Sequence, residues 1–382
     1  MKSRCRFDRA ETILAVILGL AVAGELRAQE AKKISQTPVK LDLAAREKKA
    51  PKEIQERLAS LRAEIKAKGL RFRVGYTTAL DEKIEHLAGT RPPKDLAERA
   101  PAQYRLAAEL RKLDLEARAE IARLNPKFRF PELVLQCRAS RSHFDWRTLG
   151  KVTPVRDQDG CGSCWAFATL GAFEGSYAVR NSQLVDVAEQ DVLSCSGAGS
   201  CGGGWWAFDS VIGDGDATEA NYPYTATDTA CNTAVSRPYR AVIWGYVKPD
   251  GGIPSVADMK QALCEHGPLA VAVYVSPAFQ AYTAGVFDEK ITNAGINHGV
   301  TLIGWDDTEK AWIIKNSWNA SWGNAGFMHI AWDSNRIGDG AAWVDARNRF
   351  YRLPPKYFEL MPRIKPFPEP DPLPRPTGAA KQ

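Results

Sequence analysis

Between Lys52 and Lys68 the apolar residues Ile54, Leu58, Leu61 and Ile65 recur at spacings of three and four. That period puts them on one face of a helix, which Gly69 stops. Phe72-Arg73-Val74-Gly75-Tyr76 alternates and predicts a short strand. Leu80 to Leu87 predicts a second, short helix, ended by Gly89 and Pro92-Pro93. Ala102 to Leu124, rich in Ala, Leu, Arg and Glu, predicts a long helix closed by Asn125-Pro126. These helices carry few aromatics and many charges. They are too thin to bury a core alone and should lie on something larger. Residues 29–52 are polar and Lys-rich and predict a mobile stretch.

The texture changes at Phe144-Asp145-Trp146. Charges thin out, and Gly, Trp and β-branched residues rise. Cys164 to Val179 has almost no polar face and predicts a buried helix, and Val187 to Leu193 predicts another. After Cys231 the pattern turns to strands at Ala241–Val247, Leu269–Tyr274, His298–Trp305, Ala311–Lys315 and Gly326–Ala331. A helix from Ser255 to Glu265 interrupts them before Gly267-Pro268. Helices first and strands second predict an α+β architecture with two lobes and a cleft between them. The sequence shows no internal repeat.

The two ends read differently. Lys2, Arg4, Arg6 and Arg9 precede the apolar run Ile13–Gly24, and Leu26-Arg27-Ala28 offers a cleavage site. This is the pattern of a secretory signal over residues 1–28. The run is shorter than the ~18–20 residues of a membrane-spanning helix, so no stable membrane insertion is expected after signal cleavage. An uncleaved anchor is the competing reading. From Arg352 the chain holds nine prolines in 31 residues and predicts an extended tail over 352–382.

Of the chain's 382 residues, 45% are hydrophobic, ample for a core, and the eleven tryptophans lie after residue 140. The formal charge of +6 hides a split. Residues 29–137 carry 24 Lys and Arg against 16 Asp and Glu, whereas residues 138–382 carry 22 against 26. A basic segment beside an acidic one can pair internally, so the basic balance does not call for nucleic acid as a partner. It predicts a latch that loosens as acid protonates carboxylates. Of the eight cysteines, Cys5 lies in the signal. If one more is a free nucleophile, six remain, an even number that suggests disulfides in an exported chain. A zinc site would need a second pair to match Cys161 and Cys164, and Cys195 and Cys201, six apart among Gly and Ser, have poor ligand spacing.

The candidate chemistry starts at Cys161-Gly-Ser-Cys164-Trp-Ala-Phe167. Cys164 begins an apolar helical run, with Ser163 as a candidate N-cap. The field of a helix N-terminus favours a thiolate, and small neighbours let a substrate backbone approach. A buried structural cysteine is the plain alternative. A nucleophile also needs a base and oxyanion donors. His86, His143, His266 and His329 are poorly placed for the first task, but His298 opens an apolar strand after a loop. Trp312-Ile-Ile-Lys-Asn316-Ser-Trp318 follows after one turn, so the two strands should pair as a hairpin. Asn316 could then accept the second imidazole N–H, with Trp318 covering that bond. The backbone N–H of Cys164 and the side-chain amide of Gln158 are the candidate oxyanion donors. No metal or cofactor is required.

At this point the stretch from about Phe144 to Val344 resembles the papain family (peptidase C1), of which Cys-Gly-Ser-Cys-Trp is a known local signature. Further landmarks run in order: Glu189-Gln190-Asp191, Cys201-Gly-Gly-Gly204, Tyr222-Pro-Tyr224, Gly267-Pro268, Asn297-His298, Lys315-Asn316-Ser-Trp318 and Trp322-Gly323. The resemblance implies a papain-like fold, a helical lobe and an antiparallel β-barrel-like lobe flanking the cleft, preceded by a helical pro-segment. It implies Cys164 as nucleophile, His298 as acid/base, Asn316 as orienter and Gln158 in the oxyanion hole. Disulfides Cys161–Cys201 and Cys195–Cys231 are implied too. Cys137 and Cys264 are left over, and a third bridge between them would tether the pro-segment's end. By the same resemblance Gly203 and Gly204 would pair with substrate backbone. Trp205, Trp206, Ala272, Ile296 and Gly299 would line the pocket for the second residue before the scissile bond, favouring Leu, Val or an aromatic. Trp205 and Trp206 as ordinary core is the alternative.

The expected organisation is thus a signal peptide (1–28), a pro-segment (29–138), a catalytic domain (139–351) and a Pro-rich tail (352–382). The expected function is a secreted, periplasmic or lysosome-like cysteine endopeptidase, made as a zymogen and monomeric. Its partners would be polypeptide substrates and its own pro-segment as intramolecular inhibitor. The rivals are a peptide ligase or transpeptidase on the same site and a catalytically silent binding protein. Some features depart from the family pattern. Gly202 stands where Asn is frequent. No long insertion lies between Cys201 and Cys231, which favours endopeptidase action. Gly75-x-Thr77-x-Ala79-x-Asp81 echoes a propeptide motif, but the helix after it is extra. Asn319-Ala-Ser321 is a glycosylation sequon, read as unmodified.

Overall fold

A nine-stranded sheet carries the second half of the chain, and the segment before residue 140 adds a strand to its edge. The structure, a computed structural model, describes residues 42–124 and 137–347. The signal peptide and the Pro-rich tail predicted above lie outside the described residues. Among the described residues no helix is long and apolar enough to cross a membrane.

The first described element of the pro-segment is α1 (Leu43–Lys49), where a mobile stretch was expected. The Asp42 side chain caps it by accepting from Ala45 N at 2.9 Å. Arg46–Asp81 and Glu47–Arg62 ion pairs hold it against later residues, contacts that the polar local pattern could not announce. Helix α2 (Lys52–Lys68) stops where Gly69 takes a left-handed conformation, as the pattern predicts. Strand β1 (Phe72–Val74) follows. The helix expected over Leu80–Leu87 is split into a 3₁₀ turn (Thr78–Asp81) and α3 (Ile84–Leu87), with extended residues at Glu82 and Lys83. Helix α4 (Leu96–Leu124) starts six residues before the expected Ala102 and contains Pro101. Proline is tolerated near a helix start because the first N–H groups have no intrahelical partner.

Beyond Cys137, β2 (His143–Asp145) leads to α5 (Cys164–Asn181), buried along most of its length. Two glycines let α5 lie this deep. A Cβ on Gly171 would sit 2.2 Å from Thr301 Oγ1, and one on Gly175 would sit 2.3 Å from Pro268. Helix α6 (Glu189–Cys195), the short pair β3 (Gly199–Ser200) and β4 (Gly203–Gly204), and α7 (Phe208–Gly213) complete the helical part. The sheet is then built from β5 (Arg240–Tyr246), β6 (Leu269–Val273), β7 (Tyr282–Phe287), β8 (His298–Asp306), β9 (Ala311–Lys315), β10 (Phe327–Ala331) and β11 (Asp339–Arg347), with α8 (Val256–His266) and α9 (Pro277–Gln280) between strands.

The strand order is β1-β7-β10-β9-β8-β6-β11-β5, with β2 pairing β8. The pairing is antiparallel except between β7 and β10. The predicted hairpin forms: Thr301 pairs with Lys315 and Trp305 with Trp312. Strand β11 has no counterpart in the sequence reading. It carries Asp345 in its middle, a residue that argues against a buried strand until its partners are seen. Those are Arg180 and His266, the latter 2.8 Å away.

Three disulfides join Cys137 to Cys264, Cys161 to Cys201 and Cys195 to Cys231, and Cys164 is a buried free thiol. The pro-segment docks mainly through apolar surface. Leu58, Phe72, Val74, Tyr76, Leu80 and Leu87 are buried in one cluster with Phe279, Tyr282, Phe287 and Trp322 of the sheet side. Each such side chain contributes about 1.5–3 kcal/mol. Ion pairs cross the boundary at Arg71–Asp288 and Arg111–Glu265, both partly exposed. Exposed pairs are worth about 0–1 kcal/mol each, so charge trims this latch and burial sets it.

Candidate active site

Cys164 is the first residue of α5 and is buried. Ser163 stands at the N-cap position, but its hydroxyl makes no capping bond. It meets the Tyr224 hydroxyl at 2.6 Å instead, and Tyr224 donates to Gln158 O at 3.0 Å. The helix start is thus held by a side chain 61 residues away from Ser163. Cys161, bonded to Cys201, anchors the loop before it. The zinc alternative for Cys161 and Cys164 is closed by this bond.

His298, the first residue of β8, is fully buried, and its Nε2 lies 2.8 Å from Asn316 Oδ1. The hairpin register sets that distance, because Asn316 directly follows β9. Asn316 Oδ1 also accepts from Ser317 N at 2.9 Å. Trp318 packs on the imidazole at 4.7 Å between ring centroids, and Phe279 meets it edge-on at 6.2 Å. The bond is therefore shut off from water. Burial pushes the Cys164 thiol up. The attraction of the His298 charge, with hydrogen bonds from Thr90 and the Gly299 backbone, more than offsets this and brings it to about 7; His298 Nδ1 itself has no hydrogen-bond partner. A thiol so placed is substantially ionised at neutral pH.

Gln158 is buried beside the same cysteine loop. Its Nε2 donates to Cys161 O at 2.8 Å and to Leu87 O at 3.1 Å. Its Oε1 accepts from Ser317 Oγ at 2.6 Å, which orients the amide. The sequence reading quoted Ser317 within its motif but gave it no task. Gly203 pairs with Ser200, and Gly204 takes hydrogen-bond partners from the chain's own pro-segment. Gly204 N donates to Gly89 O at 2.9 Å, Arg91 N donates to Gly204 O at 2.8 Å, and Thr90 N donates to Asn297 O at 2.9 Å. Thr90 and Gly204 pair in a parallel sense.

The segment Leu87–Arg91 therefore passes over the thiol. Gly89 N lies 3.3 Å and Thr90 Oγ1 3.1 Å from Cys164 Sγ. Glycine is required at 89, because a Cβ there would lie 1.8 Å from Gly162 O. Gly89 entered the sequence reading only as a helix stop. Its spacing from Gly75-x-Thr77-x-Ala79-x-Asp81 was the available signal.

The residues expected to line the neighbouring pocket are brought together. Trp205 and Trp206 stack at 4.5 Å and are buried, donating to Tyr246 OH and Gly340 O at 2.8 Å each. A Cβ on Gly299 would sit 3.2 Å from the Trp206 ring and 2.8 Å from Thr90 Oγ1. Ala272 pairs with Gly299 across β6 and β8, and Ile296 packs on the same cluster. The Asn319 amide donates to Thr78 Oγ1 at 2.9 Å and Asp157 Oδ2 at 2.6 Å, so a glycan there would displace a pro-segment contact.

A model of the papain family cysteine proteases matches residues 140–343. The chain belongs to the papain family of cysteine proteases. Digestive cysteine proteinase 3 of Homarus americanus is 38% identical over 197 residues, 49% of this chain and 60% of that protein. Fruit bromelain of Ananas comosus is 39% identical over 193 residues, 49% of this chain and 54% of that protein. The chain thus spans roughly three fifths or less of the length of these relatives. The solved bromelain protease of Ananas comosus with the E64 inhibitor matches at 34% identity and a TM-score of 0.50, over 53% of this chain and 98% of that one. Digestive procathepsin L 3 of Tenebrio molitor, at 22% identity, shares the fold over 84% of this chain and 98% of its own, with a TM-score of 0.59.

Within this papain-family site, Asn316→Ala is expected to lower kcat about 10–100-fold with little change in KM, because it frees the imidazole without touching the substrate path. Steady-state kinetics on a peptide substrate checks this. A KM effect with unchanged kcat would remove Asn316 from the orienting role.

Proposed function

We propose that the chain is a cysteine endopeptidase made as an exported zymogen. The observation that carries this is the Cys164 thiol lowered to about 7 by the charge of His298, itself held by Asn316, under a cleft closed by the chain's own Leu87–Arg91. The Cys164 thiolate attacks a peptide carbonyl carbon and forms an S–C bond. Negative charge moves to the carbonyl oxygen, where the Gln158 amide and the Cys164 N–H stabilise it. As the C–N bond breaks, His298 passes its proton to the leaving amine. Water, deprotonated by His298, then cleaves the thioester and returns the thiol.

In this reading residues 1–28 are the signal, 29–138 the pro-segment, 139–351 the catalytic domain and 352–382 an appended tail. The three disulfides fit an oxidising destination. Polypeptides are the substrates, and the monomer suffices because each residue named in the reaction comes from one chain. Trp205, Trp206, Ala272, Ile296 and Gly299 select an apolar second residue. The closeness of Trp206 to Gly299 favours Val or Leu there over an aromatic ring.

Activation is expected to be faster in acid. Pairing with Arg62 and a hydrogen bond from the Tyr76 N–H hold Glu47 below its ordinary range against a smaller cost of burial. Both partners lie within the pro-segment, so this carboxylate stabilises that segment's own fold fully above its free pKa, about 4.5, and loses that contribution as pH falls below it. The pro-segment therefore loosens below about pH 4.5. The experiment incubates the full chain at pH 4 and pH 7.5, then adds a thiol-directed epoxide at one pH. Faster gain of label on Cys164 after acid supports the zymogen. Equal rates remove the latch, and no label on the processed chain removes the peptidase.

A further inference from the structure

Every pro-segment contact described with Cys164, Gln158, Gly204 and Asn297 comes from residues up to Arg91. Helix α4 works elsewhere. Its inner face buries Ala100, Gln103, Ala107 and Leu110. Gln103 Nε2 donates to Trp244 O of β5 at 2.8 Å. The next residue, Gly245, fits Ala107 so closely that a Cβ on it would lie 2.7 Å from the Ala107 methyl. Ala100 abuts Gly251 in the same way, at 3.0 Å. At the end of α8, Arg111 pairs with Glu265 at 2.8 Å and reaches His266 Nε2 at 3.5 Å. The neighbouring residue on that helix, Cys264, is bonded to Cys137.

We propose that α4 is a permanent part of the active enzyme: it stays docked on β5, Gly251 and the end of α8 after activation, and the activating cut falls between Arg91 and Leu96. This rests on the peptidase reading above. The surface is built for this helix, since two glycines of the catalytic domain are shaped to its two alanines. At Gly245 only a residue without Cβ admits such contact, and the fit is as close as that of a protein core. The stretch Pro92-Pro93-Lys94-Asp95 joins cleft and helix through a turn, with Pro92 and Lys94 exposed. Exposed connecting turns are preferred sites of proteolytic nicking, and a packed helix is not. The bond from Cys137 to Cys264 provides a second hold. Even if the chain is also cut between Cys137 and Phe144, the fragment bearing α4 remains attached. Leu96 and Ala100 lie in one cluster with Trp205 and Tyr246, so the retained helix supports the wall of the candidate pocket.

The test activates the full chain in acid, with a trace of pepsin if it does not cut itself, and labels it with the epoxide. Intact mass is read without reduction, and the N terminus is sequenced. Retention predicts a species that contains residues 96–124 and begins between residues 92 and 96. A species that lacks residues 96–124 before reduction overturns it. The label reports separately on the peptidase reading: a cut but unlabelled protein sinks that reading, while its mass still decides retention by the same criterion. A second variant, Ala107→Glu, puts a charge against Gly245. Retention predicts that the processed variant melts at least several degrees below the processed wild-type enzyme, and equal melting would overturn it.

Discussion

Cys164→Ser is expected to lower kcat/KM for a peptide substrate by at least about 10⁴-fold. The site brings the thiol to about 7 against the cost of full burial, through the charge of His298 and local hydrogen bonds. A serine hydroxyl starts several units higher, and the same attraction cannot ionise it. The variant keeps the volume, the disulfides and the His298–Asn316 bond, so its melting temperature should stay within a few degrees of wild type. Its pro-segment should remain uncut in acid unless another protease is added. Residual hydrolysis within about 100-fold of wild type would show that another group is the nucleophile.

Gly89→Ala is expected to give a leaky zymogen. The new methyl would sit 1.8 Å from Gly162 O and 2.5 Å from Gly162 C. Neither atom is a side chain that can turn away. Gly162 N is fixed to Cys201 O at 2.9 Å, and the Cys161–Cys201 bond holds both loops. The pro-segment must lift, losing the bonds from Gly89 N to Cys164 Sγ and from Gly204 N to Gly89 O. Overpacking of this kind costs about 1–3 kcal/mol, which weakens cleft closure about 5–150-fold. The readout is the rate of epoxide labelling of Cys164 in the uncut variant at neutral pH. A rate equal to that of wild type would mean that Leu87–Arg91 does not guard the thiol.

The elements legible in the sequence were those with strong local signals. Helix α2 ends at Gly69 as its period and stop residue require, and the β8–β9 hairpin follows from two apolar runs flanking Asp306-Asp307. The elements that escaped were those made by distant partners. Helix α1 is polar and exists through Asp81 and Arg62. Strand β11 carries Asp345, which Arg180 and His266 help make tolerable inside a sheet. The capping role read for Ser163 went the same way, because Tyr224 approaches its hydroxyl from outside the local chain.

The chemistry of the site shows the same division. The types and order of Gln158, Cys164, His298 and Asn316 were readable because that chemistry admits few residues at each post and because local motifs surround them. Family membership followed from the same motifs. What occupies the cleft was decided only by the fold. Gly89 is an unremarkable helix stop in the sequence and becomes the residue over the thiol once β1 has joined the sheet edge and α3 has turned the chain inward. The docking of α4 likewise depends on Gly245 and Gly251, which lie well over a hundred residues away from the alanines they meet. Close approach between distant segments leaves no period in a sequence, so packing alone revealed it.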